Sequence, residues 1–217
     1  DRYEQPYWYC EQYEGGVADK LVFVTGPTPC QQIEPLMPWA IEQYGPKFYT
    51  VAADYNYGWF SADFGELYGG EAGGELVGEE FVPLEVSDFT TTLANIQSAD
   101  PDFILALTVG GNHLGFFRQW TAQGLKEKYP VVSPVYGVGN EQSYLGPDEH
   151  EGIIVALSYF EELTNPENQE FVNLFRSVYG DKDEYPYIID GCANTWTAWH
   201  MWAEAVNETG SKDIWDL

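Results

Sequence analysis

The 217 residues carry 35 Asp and Glu against 9 Lys and Arg, a formal charge of −26, and 44% of them are hydrophobic. A surface this acidic repels phosphate, which argues against nucleic acid as a partner and against anionic membrane surfaces. The apolar fraction suffices for a real core, but no run of about 18 apolar residues occurs, so no direct membrane insertion is expected.

The opening Asp1-Arg2-Tyr3-Glu4 has neither the basic end nor the apolar stretch of a secretion leader. A leader or membrane anchor of an exported protein would therefore lie upstream. Leu21-Val22-Phe23-Val24-Thr25, stopped by Gly26-Pro27, predicts a buried strand. From Gln31 to Tyr44, Ile33, Leu36, Met37, Ala40 and Ile41 share one helical face. Pro35 fits the first turn, where its missing N–H is harmless, and Pro38 implies a kink. Lys47 to Ala53 predicts the next strand. Ser61 to Gly70 has helical character weakened by its glycines, at about 1 kcal/mol each relative to Ala.

A strand is expected within Leu76 to Pro83, and a helix over Asp88 to Ala99 with Phe89, Leu93 and Ile96 inward. Asp102 to Val109 is the clearest buried strand. A helix over Leu114 to Gln123 follows, then strands over Val131 to Val135 and Gly152 to Leu157. Helices over Pro166 to Tyr179 and Ala193 to Thr209 complete the chain. Alternating strands and helices, with near-continuous apolar strands, predict an α/β fold: a doubly wound parallel sheet covered on both faces.

Such sheets bind ligands beyond the carboxyl ends of their strands. Those ends read Asp54-Tyr55-Asn56-Tyr57-Gly58-Trp59, Gly110-Gly111-Asn112-His113, Tyr136-Gly137-Val138-Gly139-Asn140-Glu141 and Ser158-Tyr159-Phe160. Aromatic walls with a few fixed hydrogen-bonding groups suit a small neutral or zwitterionic molecule. A phosphate site would want a spaced glycine turn with a basic residue, and Gly110-Gly111 has neither. G-x-S-x-G, H-E-x-x-H and S-x-x-K are absent and the three histidines are isolated, so no enzyme and no cofactor are expected. With so many acids, pairs such as Glu79-Glu80 carry little weight. Cys10, Cys30 and Cys192 match no zinc spacing and are too few for a disulfide framework. Free thiols are the preferred state, and Cys10 and Cys30 can pair only if their loops are neighbours.

Four stretches lie in a telling order: Gln12-Tyr13-Glu14-Gly15; Thr25-Gly26-Pro27-Thr28-Pro29-Cys30-Gln31-Gln32; Asp54-Tyr55-Asn56-Tyr57; and Asn165-Pro166-Glu167-Asn168 ahead of Phe171-Val172. In this order and spacing they resemble the type I periplasmic solute-binding proteins of ABC transporters, in the group for branched-chain amino acids, urea and short-chain amides. The urea and amide branch is the nearest. The resemblance implies two α/β lobes, one nearly complete here and the other partial, that close on ligand. It assigns 1–31 to part of the first lobe and the crossover, 32–160 to the second lobe, and 161–217 to helices returning to the first. It also implies a fragment, because stretches of the family's first lobe and its closing segment have no counterpart.

The function implied is that of an extracytoplasmic substrate-binding component, periplasmic or extracellular. It would hold urea, a short amide or an amino acid in an inter-lobe cleft and present it to a membrane permease. Position by position, Tyr13 matches the aromatic of the family's Tyr-Glu-Gly loop, and Tyr55 and Tyr57 match the tyrosines that wall the amide pocket. Asn140 and Glu141 fall near an acidic pair where, in amino-acid-binding relatives, a glutamate meets the ligand ammonium. Asn112 and Tyr159 join them as cleft-edge candidates. Cys30 stands where the family usually has Asn. The alternative is a cytoplasmic amide- or amino-acid-sensing regulator on the same fold.

Two readings of the acidic surface stand open. One is adaptation to high salt, which screens self-repulsion; the other is an acidic surface with no salt requirement. Unfolding as salt is withdrawn, followed by circular dichroism, is the outcome expected of the first. A fold that persists without added salt rejects it.

Overall fold

The computed structural model describes residues 5–213 and 216; residues 1–4, on which the leader expectation rests, lie outside the described residues. The chain divides into two compact units, Asp1–Thr28 with Ser158–Leu217, and Pro29–Leu157. In the first, β1 (Tyr7–Tyr9) pairs in parallel with β2 (Val22–Val24). Trp8 stacks on Phe23 across this pair, with ring centroids 4.6 Å apart.

The second unit opens with α1 (Pro29–Tyr44). It starts two residues before the predicted Gln31, with Pro29 in the first-turn place expected of Pro35. Pro35 and Pro38 are thus both interior. Both are exposed, so the helix carries its two missing N–H donors on its solvent side. The opposite face buries Ile33, Leu36, Met37 and Ala40.

Next come β3 (Lys47–Ala53), α2 (Asn56–Glu71), β4 (Glu75–Val82) and α3 (Thr90–Ala99). They are followed by β5 (Phe103–Leu107), α4 (Gly111–Ala122) and β6 (Val131–Ser133). A 3-10 turn at Glu141–Ser143, the short α5 (Pro147–His150) and β7 (Ile154–Val155) finish the unit. The five strands form one sheet in the order β4-β3-β5-β6-β7, with every pairing parallel. β3 and β5 bury every residue except Lys47, so both faces need cover. Residues of α1 and α2 pack with Phe48, Phe103 and Leu105 on one face. Residues of α3 and α4 pack with Val51, Ile104 and Ala106 on the other.

α2 runs further than its composition predicts. A Cβ on Gly58 would lie 1.8 Å from the Ala53 carbonyl oxygen, and one on Gly69 would lie 2.8 Å from the Phe48 ring. These glycines weaken the helix intrinsically but let its backbone press onto the sheet, and that contact overrides local propensity. β6 is shorter than expected. Ser133 Oγ donates to the Ala106 carbonyl at 2.7 Å and accepts from the amides of Val135 and Tyr136 at 3.2 and 3.1 Å, replacing sheet partners where the strand ends.

The first unit is completed by α6 (Pro166–Tyr179) and α7 (Asp190–Thr209). Phe171, Ile188 and Ala198 are buried there. Trp8, Trp199 and Trp202 line a groove of about 440 Å³. All three cysteines are free thiols. Cys30 Sγ lies 3.3 Å from Tyr68 Oη. Among the described residues no helix is long and apolar enough to cross a membrane.

Two alanine substitutions separate propensity from packing in α2. Gly70 is exposed, with nothing within 4 Å of its Cβ position, so Gly70→Ala is expected to stabilise the unit by about 1 kcal/mol. Gly58→Ala forces a backbone collision and is expected to destabilise by about 2 kcal/mol or more. Urea denaturation of both variants reads the two signs.

Candidate functional site

The sheet of the second unit has one topological switch point. The connection leaving β3 passes through α2 to β4 on one side, and the connection leaving β5 passes through α4 to β6 on the other. β3 and β5 are neighbours, so the chain diverges at their carboxyl ends, the place where sheets of this kind bind ligands. Three loops reach this rim, one after each of β3, β5 and β6. They carry five of the seven predicted residues.

After β3, Tyr55 takes an extended backbone at the head of α2 and is half-buried. Its ring lies 6.0 Å from that of Tyr57. Tyr57 is only 6% exposed and belongs to the apolar cluster on the α1 and α2 face. Asp54 braces the loop by accepting a hydrogen bond from Trp59 Nε1 at 2.9 Å.

After β5, Asn112 is fully buried in the first turn of α4. Its amide donates to the carbonyls of Pro83, Leu84 and Val86 at 3.1, 3.3 and 2.7 Å, which ties down the loop leaving β4. Asn112 is thus turned towards its own chain rather than set at a cleft edge. The neighbouring His113 is also fully buried, its ring 5.7 Å from both Phe117 and Tyr136.

After β6, Glu141, the candidate for meeting a ligand ammonium, is turned into the protein. It is 4% exposed, and both of its oxygens are engaged by its own chain. Oε2 accepts from the amides of Gly137 and Gly139, each at 3.0 Å, and Oε1 lies 3.1 Å from His113 Nδ1. Burial opposes its charge, but the His113 contact and the backbone amides outweigh that and hold the carboxyl below the usual Glu range. A carboxylate only accepts, so Nδ1 carries the proton. Asn140, just before it, sits in the left-handed region at φ 58°, a conformation Asn tolerates. Its Oδ1 is buried and has no hydrogen-bond partner among the described residues.

Tyr13 and Tyr159 belong to the first unit. The Tyr13 hydroxyl closes a small loop on Val17, accepting from its amide at 2.8 Å and donating to its carbonyl. Tyr159 Oη donates to Asn168 Oδ1 at 2.7 Å, and burial with the nearby Glu161 and Glu162 pushes the phenol up to about 12. Glu161 is the charged centre of this region. It accepts from the Ile188 amide at 2.8 Å and from Arg176 Nη2 at 2.8 and 2.9 Å, with Lys182 Nζ 3.6 Å away. Burial alone would raise its pKa, but these donors hold it below the usual range. Asp190 behaves oppositely: burial raises it despite hydrogen bonds from Gly191 and Ser158.

Sequence reasoning missed Gln32, which is 5% exposed. Its Nε2 donates to the carbonyls of Pro134 and Ala156 at 2.8 and 2.7 Å, fastening the head of α1 to the exits of β6 and β7. A polar residue on the apolar side of the predicted helix was the available signal. A groove of about 470 Å³ between α1 and α2 includes Cys30, Glu34, Tyr68 and Glu71, but none of the seven predicted residues. Among the described residues no group of three or more His, Cys, Asp or Glu could hold a metal ion.

A family model described as the periplasmic binding protein domain matches residues 1–217. The Leu/Ile/Val-binding protein homolog 6 of Brucella melitensis is 24% identical over 190 residues, 87% of this chain and 48% of that protein. An ABC transporter solute-binding protein from R. palustris, solved in complex with benzoate, aligns with a TM-score of 0.79 at 24% identity, over 91% of this chain and 52% of that one. A branched-chain amino acid ABC transporter protein from Thermus thermophilus with bound valine gives a TM-score of 0.81 at 17% identity, over 99% and 58%. The chain thus spans about half the length of the curated relatives it matches.

Glu161 and Asp190 impose opposite dependences on pH. With its pKa lowered, Glu161 contributes stability that is fully present above the ordinary Glu value and is lost as pH falls through its lower folded value. With its pKa raised, Asp190 costs stability as pH rises from the ordinary Asp value through its higher folded value. Glu161→Gln is expected to lower stability at neutral pH by about 3 kcal/mol and to flatten the loss on the acid side. Asp190→Asn is expected to remove the decline on the alkaline side of the Asp range. Denaturation curves collected across the acid range distinguish the two slopes.

Proposed function

Because the chain belongs to the periplasmic binding protein domain family, matched along its whole length, we propose that it captures a small neutral or zwitterionic solute outside the cytoplasm and delivers it to the permease of an ABC uptake transporter. Urea, a short amide and a small amino acid are the solutes that fit. The observation carrying this reading is the make-up of the crevice rim. Residues 54–59, 108–113 and 134–143 supply tyrosine, asparagine, glutamine and backbone amides, and include no Lys or Arg. Such a rim offers no fixed positive charge to a net anion, whereas an amide or an ammonium-carboxylate pair can be met by neutral dipoles.

Tyr55, half-buried at the head of α2, is the aromatic contact, with Tyr57 as the wall behind it. Asn140 offers the buried Oδ1 acceptor to a solute N–H. Asn112 holds the rim from behind, and Tyr13 and Tyr159 stand as candidates on the first unit. The bound valine of the Thermus thermophilus protein supports an amino acid. The benzoate of the R. palustris protein is a net anion and finds less support in this rim.

Isothermal titration of the protein with valine, acetamide, urea and benzoate tests this reading. Saturable binding of at least one of the first three, weakened about tenfold by Tyr55→Ala, is expected. Silence toward all three, or benzoate binding tightest, overturns the solute class.

A further inference from the structure

We propose that His113 and Glu141 are a positioning pair that locks the loop after β6 to the loop after β5, so that the shape of the solute rim depends on a carboxylate that does not itself meet the solute. This rests on the crevice being the solute site. The pair joins two neighbouring strand exits: His113 lies in the first turn of α4, directly after β5, and Glu141 opens the turn that follows β6. Both side chains are withdrawn from solvent, with His113 fully buried and Glu141 4% exposed. One carboxylate oxygen gathers the amides of Gly137 and Gly139, and the other faces His113 Nδ1 at 3.1 Å.

Tyr136 and Val138 anchor the loop to the apolar clusters on the two faces of the sheet, and the glycines beside them have no side chain to do the same. Gly137 lies at φ 103° and Asn140 at φ 58°, backbone settings that are not self-enforcing in a flexible glycine-rich segment. Backbone bonds run from the Val138 amide to the Val135 carbonyl at 3.3 Å, from the Asn140 amide to the Gly137 carbonyl at 3.1 Å and from the Ser143 amide to the Asn140 carbonyl at 2.9 Å, while the Gly137 and Gly139 amides go to Glu141 Oε2. Glu141 therefore acts as the clamp that closes this turn, and the imidazole fixes the clamp to the rigid start of a helix. The ring is itself held between Phe117 and Tyr136, so the donor cannot wander. The rim acceptor Asn140 lies immediately before the clamp, which makes its placement a consequence of the pair.

Amide hydrogen exchange in Glu141→Gln, His113→Phe and His113→Asn tests the proposal. The Phe variant keeps a ring against Phe117 and Tyr136 but loses the donor. The Asn variant offers an N–H where Nδ1–H stands. Exchange at Gly137 and Gly139 is expected to quicken about tenfold or more in the Gln and Phe variants, with core amides such as Val51 and Leu105 unchanged, and to return towards its original rate in the Asn variant. Valine or acetamide affinity is expected to follow the same order. Unchanged exchange at the two glycines overturns the proposal. So does a loosening spread equally over the core, and so does an Asn variant that behaves like Phe. The exchange pattern decides the pairing with or without solute. Failure of the unaltered protein to bind valine or acetamide therefore counts against the solute class and not against the clamp.

Discussion

A parallel strand buried on both faces has no solvent side, and β3 and β5 are two such strands lying next to each other. Their side chains leave water only if helices arrive from above and below, and their chain direction forces each connection to travel the length of the sheet before the next strand begins. The rest of the second unit follows from meeting those demands. α1 and α2 cover one face and α3 and α4 the other, and the change of face is the point where the strand order turns. The crevice is thus a by-product of covering two faces with one chain. Its position is set by the core rather than by the residues that line it.

Polar groups at the rim divide by what they satisfy. Gln32, Asn112, Ser133 and Glu141 are buried and direct their hydrogen bonds at backbone groups or side chains of their own unit. Loops at strand ends expose many amides and carbonyls, and a buried one without a partner costs more than a typical bond contributes. These four side chains remove that cost and stiffen the loops in doing so. Asn140 differs in keeping a buried Oδ1 with no hydrogen-bond partner among the described residues, and Tyr55 is half-buried at the head of α2. A binding surface needs such a division, because a contact residue is only as well placed as the residues behind it.

The fold was legible because periodicity reports burial. The apolar runs at Lys47 to Ala53 and Asp102 to Val109 became β3 and β5, and the helical spacing of Ile33, Leu36, Met37 and Ala40 became the inner face of α1. β1 escaped notice because three residues carry too short a pattern, and β6 stopped early because a serine hydroxyl took over from the sheet. The glycines of α2 read as weakness because propensity records what a residue does alone, and not that a missing Cβ admits a neighbour. At the site, the sequence drew attention to the strand ends but could not tell inward from outward. Glu141 and Asn140 are adjacent and both polar. Only the loop geometry gives the first three partners and leaves the Oδ1 of the second with none among the described residues.

The two interior prolines of α1 bear on the order in which the chain assembles. Each deletes a ladder hydrogen bond and, for an isolated helix, each is worth about 3 kcal/mol against formation. Such a segment cannot serve as a seed. It acquires its helical state only when Phe48 and Phe103 already offer its inner face a place to rest. α1 is therefore a conditional element: its helical state is borrowed from the paired strands beneath it rather than supplied by its own residues.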